Sequence, residues 1–223
     1  MSRPRLIVFA SGTQTGGGTG FENLVKHSRG GDLDADIVAV VSNHEHGGVR
    51  SRADRLGVRF IHIDPSEHSH ILKNVRVSYQ EVVERFGAEW VALSGWMKKT
   101  QGLDPCRTIN IHPALLLDQN GRFGGKGMYG HRIHEAVKAA LDAGEITESG
   151  CSMHFVTDEY DRGPVFFEYR IPLTPDMSAD DIAQAVNRVE HVWQPRLTHL
   201  VVHGLISWDG RDPLTLKKPD ITA

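Results

Sequence analysis

A chain of 223 residues with 39% apolar and 24% charged side chains has the mix of an ordinary soluble globular protein, long enough for one domain or two closely packed lobes. Its net charge of −3 gives no basic footprint for nucleic acid, and no apolar run nears the roughly 20 residues that span a bilayer. The two cysteines, Cys106 and Cys151, form no disulfide framework and have no metal-ligand spacing.

Arg5 to Ala10 is a continuous apolar run, typical of a strand covered on both faces and too short for the core of a signal peptide. A glycine-rich loop, Ser11 to Gly20, leads into a helix beginning near Phe21. Asp36 to Ser42 reads as a second buried strand, Val49 to Leu56 as a helix and Arg59 to Ile63 as a third strand. Pro65-Ser66 is expected to open a long helical segment towards Phe86. Five histidines that cluster in sequence, His44, His46, His62, His68 and His70, show no ligand pattern and read as a solvated surface. Trp90 to Ser94 and Thr108 to His112 are the fourth and fifth strands. This alternation argues for an α/β fold with a doubly wound, mostly parallel sheet.

After Pro113 the texture changes. Asp118 to Gly130 is a glycine-rich, flexible loop, and Arg132 to Ala143 has helical composition. Cys151 to Val156 and Val165 to Ile171 read as an antiparallel hairpin joined by Thr157 to Pro164. Ser178-Ala-Asp-Asp181 caps a long C-terminal helix running to about His203, in which Pro195 predicts a kink or break. The tail after Gly210 is polar and expected to be loosely held. One domain is expected over residues 1–223, with a tail beyond about 210.

Chemistry concentrates in a few places. In an extended chain Thr108, Asn110 and His112 share one face while Ile109 and Ile111 turn into a core. An amide and an imidazole side by side can hold a carbonyl and stabilise an oxyanion. Taken alone, Asn-x-His also fits a strand end with two ordinary polar residues. The loop before the first helix exposes backbone N–H groups at a helix N-terminus, which suits a phosphate. It lacks the Lys-Ser or Lys-Thr of a Walker loop, and Phe21 stands where a dinucleotide fingerprint needs its third glycine. The turn Thr157 to Pro164 carries Asp158, Glu159, Asp161 and Arg162, either as a solvated turn or with one carboxylate folded towards His112 and raising its pKa. His154 alternates inward with Ser152 and Val156 and reads as a packed polar core residue. Glu190 is either a solvated helix carboxylate or a holder of a substrate amine. Trp96 to Lys99 is either a strand end or a wall for a flat aromatic ligand.

Six ordered segments, taken together, resemble the folate-dependent formyltransferases, in particular the branch that formylates glycinamide ribonucleotide. They are residues 7–12, 40–43, 93–97, 109–116, 152–164 and Glu190-His191, covering most of 5–205. The resemblance implies a Rossmann-like formyltransferase fold with a C-terminal antiparallel hairpin and a long C-terminal helix. It implies an acceptor phosphate-binding half over about 1–100 and a catalytic and folate-binding half over about 101–210. It implies Asn110, His112 and Asp161 as the catalytic trio, with His112 protonated, and 10-formyltetrahydrofolate as co-substrate, with no metal. Ser11, Gly12, Gly18, Thr19, Gly20, Gly95, Met97 and Glu190 match the acceptor side. Leu93, Lys98, Thr100, Val156, Thr157 and Asp158 match the folate side. The partners implied are small molecules, neither nucleic acid nor membrane, for a cytoplasmic monomer or homodimer. Two departures touch the acceptor side: extra residues among Thr13 to Gly17, with Gly20 where the family has Asn, and a longer segment after Leu116. Formyl transfer to another amine, such as that of a sugar nucleotide, stays open, as does a non-catalytic folate or nucleotide sensor. Hydrolysis of formyl-folate and the methionyl-tRNA version fit less well, because each is expected to bring a further domain.

Overall fold

A computed structural model describes residues 2–66, 69–72 and 75–221. In chain order it runs β1 (Arg5–Phe9), α1 (Thr19–Gly30), β2 (Asp36–Ser42), α2 (Gly48–Leu56) and β3 (Phe60–His62). Three short strands follow, β4 (Asp64–Ser66), β5 (Ser69–Leu72) and β6 (Val75–Val77), and then α3 (Tyr79–Arg85). The second half comprises β7 (Trp90–Ser94), β8 (Thr108–His112), α4 (His131–Asp142), β9 (Glu148–Phe155), β10 (Val165–Pro172) and α5 (Ala179–Val202).

Seven strands make one sheet in the order β10-β9-β8-β7-β1-β2-β3. The pairs from β3 through β8 are parallel, whereas β8–β9 and β9–β10 are antiparallel. Strand alternation divides the core. Leu6 and Val8 face one apolar cluster with Phe21, Leu24 and Val186, and Ile7 and Phe9 face another with Tyr79 and Val82. Both faces of β1 are therefore covered, which explains its unbroken apolar run. Full burial of side chains such as Phe9 and Phe21 contributes about 1.5–3 kcal/mol each. β1 has β2 on one side and β7 on the other, so the chain leaves it in opposite directions. The carboxyl ends of β1 and β7 thus bound the crevice where open α/β sheets place their ligands.

Three expectations need correction. Pro65 to Phe86 is not one helix: β4, β5 and β6 form a small antiparallel sheet, and α3 begins only after Ser78. Ser78 and Glu81 make a reciprocal capping box, a spacing visible in the sequence that marks the true helix start. The helix α5 runs without a break through Pro195. Proline cannot donate to the carbonyl four residues earlier, but that carbonyl, on His191, accepts from Asn23 Nδ2 at 2.7 Å instead. The tail is also anchored. Ser207 and Lys217 exchange backbone hydrogen bonds, Trp208 packs against Phe155, and Lys218 Nζ donates to the Phe166 carbonyl. His68 lies outside the described residues. Among those described, no helix is long and apolar enough to cross a membrane.

Candidate active site

Four segments meet at the crevice: the loop after β1, the turn after β7, the end of β8 and the β9–β10 loop. The first is built by glycine. Thr13 N–H donates to Gly16 O, and Gly16 N–H returns to Thr13 Oγ1. Gly17 and Gly18 then take left-handed backbone, at φ 80° and 81°. The N-terminus of α2 is pressed against this turn, since a Cβ at Gly48 would lie 2.2 Å from Gly16 O. Gly18 caps α1, whose free N–H groups and positive dipole end open towards the crevice. Ser11 is placed differently from its neighbours. It is buried beneath the loop, where its hydroxyl accepts from Met97 N–H at 2.9 Å and its own N–H donates to Gly95 O. It ties the loop after β1 to the turn after β7 rather than lining the cavity.

At the end of β8, Asn110 and His112 do turn to the same side as the loop. Asn110 stands directly opposite His154 on β9, and Asn110 Nδ2 lies 3.0 Å from His154 Nε2. His154 Nδ1 bonds the Phe155 carbonyl at 2.7 Å, so this nitrogen carries the proton and Nε2 accepts from the Asn110 amide. Asp161 folds in, with Oδ1 at 3.6 Å from both His112 Nδ1 and His154 Nε2. That is too long for a hydrogen bond but close enough for a strong electrostatic effect. Among the described residues Asp161 is the one non-glycine with left-handed backbone, at φ 52°.

Burial lowers the His112 pKa, and this outweighs the opposite pull of Asp161 and of the Phe123 carbonyl that Nε2 bonds. His112 is 4% exposed, and this burial disfavours its charged form. Burial also works against ionising Asp161, but its carboxyl stays below the usual carboxylate range, favoured by the Gly125 N–H that donates to Oδ2.

Two spaces adjoin this cluster. A cavity of about 610 Å³ has Gly12, Gly18, Thr19 and Gly20 at one end and His112 and Asp161 at the other, with Gly95, Met97 and Glu190 along its walls. A smaller cleft of about 50 Å³ opens on the far side of Asn110 and Asp161. It brings together Leu93, Lys98, Thr100, Val156, Thr157 and Asp158. Asp158 Oδ1 accepts from Gly102 N–H and so joins the two loops that wall this cleft. Protein surrounds the Glu190 carboxyl wherever it does not face the cavity, and burial pushes its pKa up to about 7. Among the described residues no three His, Cys, Asp or Glu side chains are grouped to hold a metal. Burial also pushes the Cys106 thiol up, which disfavours a thiolate nucleophile.

The formyl transferase family profile matches residues 4–198 of this chain. The chain belongs to the formyl transferase family. It is 28% identical over 210 residues to the chloroplastic phosphoribosylglycinamide formyltransferase of Arabidopsis thaliana, covering 92% of this chain and 68% of that protein. It is 28% identical to the counterpart from Vigna unguiculata, of whose length it spans 63%. It is 27% identical to the human trifunctional purine biosynthetic protein adenosine-3, of which it spans 19%. The glycinamide ribonucleotide transformylase 1 structure from Symbiobacterium toebii superposes with a TM-score of 0.77 at 25% identity, covering 98% of this chain and 95% of that one. As a formyl transferase, the chain sets a tightly held cluster of polar side chains between a larger and a smaller recess.

Two features of this formyl transferase were not legible in its sequence. His154 is a partner of Asn110 rather than mere packing, and only the β8–β9 register reveals it. The main chain of residues 123–125 touches both His112 and Asp161, from a loop whose composition signals nothing but flexibility.

Proposed function

We propose that this chain transfers the formyl group of 10-formyltetrahydrofolate to the amine of glycinamide ribonucleotide, a step of purine biosynthesis. The observation that carries the reading is the position of Asn110, His112 and Asp161 at the junction of two spaces, one floored by a glycine loop at a helix N-terminus. A phosphate ester suits that floor. Leu93 and Val156 in the smaller cleft offer apolar contact to an edge of the flat folate ring, and the names of the plant and bacterial relatives support the pairing.

In this mechanism the acceptor amine enters neutral and attacks the formyl carbon. The Asn110 amide, aligned by His154, donates to the oxygen as negative charge develops there. His112, kept neutral by burial, takes the proton that the amine loses, and the ionised Asp161 stabilises the imidazolium that results. The bond from carbon to the folate nitrogen then breaks, and that nitrogen receives the proton. Glu190, at the acceptor end, fits hydroxyl or amine groups in either of its protonation states.

The test is to mix the protein with 10-formyltetrahydrofolate and glycinamide ribonucleotide and follow tetrahydrofolate by absorbance. Turnover that needs both substrates is expected; tight binding of both without release would leave a sensor. The filled space at Gly20, where a Cβ would lie 2.2 Å from Ser94 Oγ, alters the acceptor wall. A screen of other amines, sugar-nucleotide amines included, checks the choice of acceptor.

A further inference from the structure

We infer that residues 123–125 are a positioning element that grips His112 and Asp161 through main-chain groups and makes Nδ1 the working nitrogen of His112. This rests on the reading of those two side chains as catalytic. His112 Nε2 lies 2.7 Å from the Phe123 carbonyl oxygen. A carbonyl has no proton to give, so Nε2 must carry one and donate it. The neutral ring is therefore the Nε2–H tautomer. Its other nitrogen, Nδ1, is left with a lone pair 3.6 Å from Asp161 Oδ1. Nε2 is committed to the main chain, so Nδ1 is the atom that can accept the amine's proton and pass it on.

Two residues along the same loop, Gly125 N–H donates to Asp161 Oδ2 at 2.9 Å. One short piece of backbone thus holds both members of the pair, an acceptor for the imidazole and a donor for the carboxylate. Asp161 itself sits in left-handed backbone, which is unfavourable for a residue with a Cβ. The Gly125 contact helps to offset that and fixes where the carboxylate points.

The grip requires glycine between its two contacts. A Cβ at Gly124 would lie 2.4 Å from Leu116 Cδ2 and 3.2 Å from Asp161 Cβ, so a larger residue must displace the Leu116 side chain or the loop itself. Gly125 has φ 92°, again a conformation for glycine. The piece is stiffened by its own turns, with Gly124 N–H donating to Gly121 O and Met128 N–H to Gly125 O. The flexibility that the glycine content suggests is the means by which the backbone comes this close.

The first arm of the test needs no substrate: ¹⁵N NMR of histidine-labelled wild-type protein, with His112 assigned by comparison with His112→Gln. Protonated Nε2 and bare Nδ1 are expected for the neutral ring; the opposite tautomer would overturn the assignment. The second arm is Gly124→Ala in the full chain. A mixture of His112 tautomers is expected, together with a fall in kcat of about ten-fold or more while both KM values stay within about two-fold. Adding Leu116→Ala, which removes the nearest obstructing methyl group, is expected to recover part of the loss. A folded Gly124→Ala protein with one tautomer and normal kcat would overturn the positioning role. If wild-type protein turned over no formyl-folate at all, the functional reading would fall, whereas the tautomer measurement would still decide the grip.

Discussion

Asn110 and His154 face each other across β8 and β9, with the amide nitrogen of one 3.0 Å from the ring nitrogen of the other. Because His154 spends its one N–H on the Phe155 carbonyl, its remaining nitrogen can only accept. The Asn110 amide is thereby turned in a single sense, with its second N–H available as a donor. Replacing His154 by Ala is expected to lower kcat roughly 10- to 100-fold by freeing that amide. If the two residues act as one unit, His154→Ala added to Asn110→Ala costs little more than Asn110→Ala alone. A double-mutant cycle on kcat/KM checks this, and simple additivity would separate the two residues.

His112→Ala tests the proton transfer. The loss in kcat is expected to be about 10²- to 10⁴-fold, the range for a general acid–base group. Stability is expected to drop as well, by about 1–3 kcal/mol, because the Phe123 carbonyl loses its donor inside the protein. Thermal unfolding beside steady-state kinetics separates the two effects. A folded variant with normal turnover excludes His112 as the base.

Glu190 ties stability to pH. Its pKa rises from 4.5 to about 7 on folding, because burial disfavours the charge. Below pH 4.5 the carboxyl is neutral in both states and folding is not penalised. As the pH climbs the unfolded chain ionises first, so stability falls until about pH 7, by an amount on the order of 3 kcal/mol. Urea unfolding of wild type and Glu190→Gln across this window is the check. The difference between the two curves is expected to slope downwards from pH 4.5 to 7, and a flat difference would mean Glu190 is better solvated than its surroundings imply.

Gly48 lies outside the cavity but shapes its floor. A methyl group there would collide with Gly16 at 2.2 Å and push the turn that leads into Gly17 and Gly18. Gly48→Ala is therefore expected to raise the acceptor KM about ten-fold while leaving the donor KM near its wild-type value, because the folate-side cleft is built from other segments. Inorganic phosphate is expected to compete with the acceptor in the wild type and to do so more weakly in the variant. A variant in which both KM values change equally would show a loosened fold instead.

Much of the architecture follows from the residues alone. The unbroken apolar runs at Arg5–Phe9 and Trp90–Ser94 mark central strands because a sheet covered on both faces has no use for alternation. Ser178 with Asp181 marks the start of α5 because a helix N-terminus needs acceptors for its free N–H groups. These are local requirements, and local sequence records them. The helix expected from Pro65 gives way to strands as far as Val77 because these are stabilised by pairing with one another, which no 3.6-residue spacing reports. Pro195 does not break α5 because its remedy, Asn23, is supplied from another helix, which the sequence around Pro195 does not show.

The candidate site divides in the same way. Asn110 and His112 can be seen to share a face because strand geometry fixes alternate residues on one side. That Asp161 rather than Asp158 or Glu159 turns inward depends on a left-handed backbone and on the Gly125 N–H, neither of which is written in the loop itself. The pairing of Asn110 with His154 depends on the register of two strands 44 residues apart. At His112 the Asp161 carboxylate pulls the pKa up while burial among many residues pulls it down. Chain sequence determines which groups are available and which faces they share. Distance, enclosure and tautomer are properties of the packed molecule, because each is set by atoms brought together from parts of the chain that do not otherwise meet.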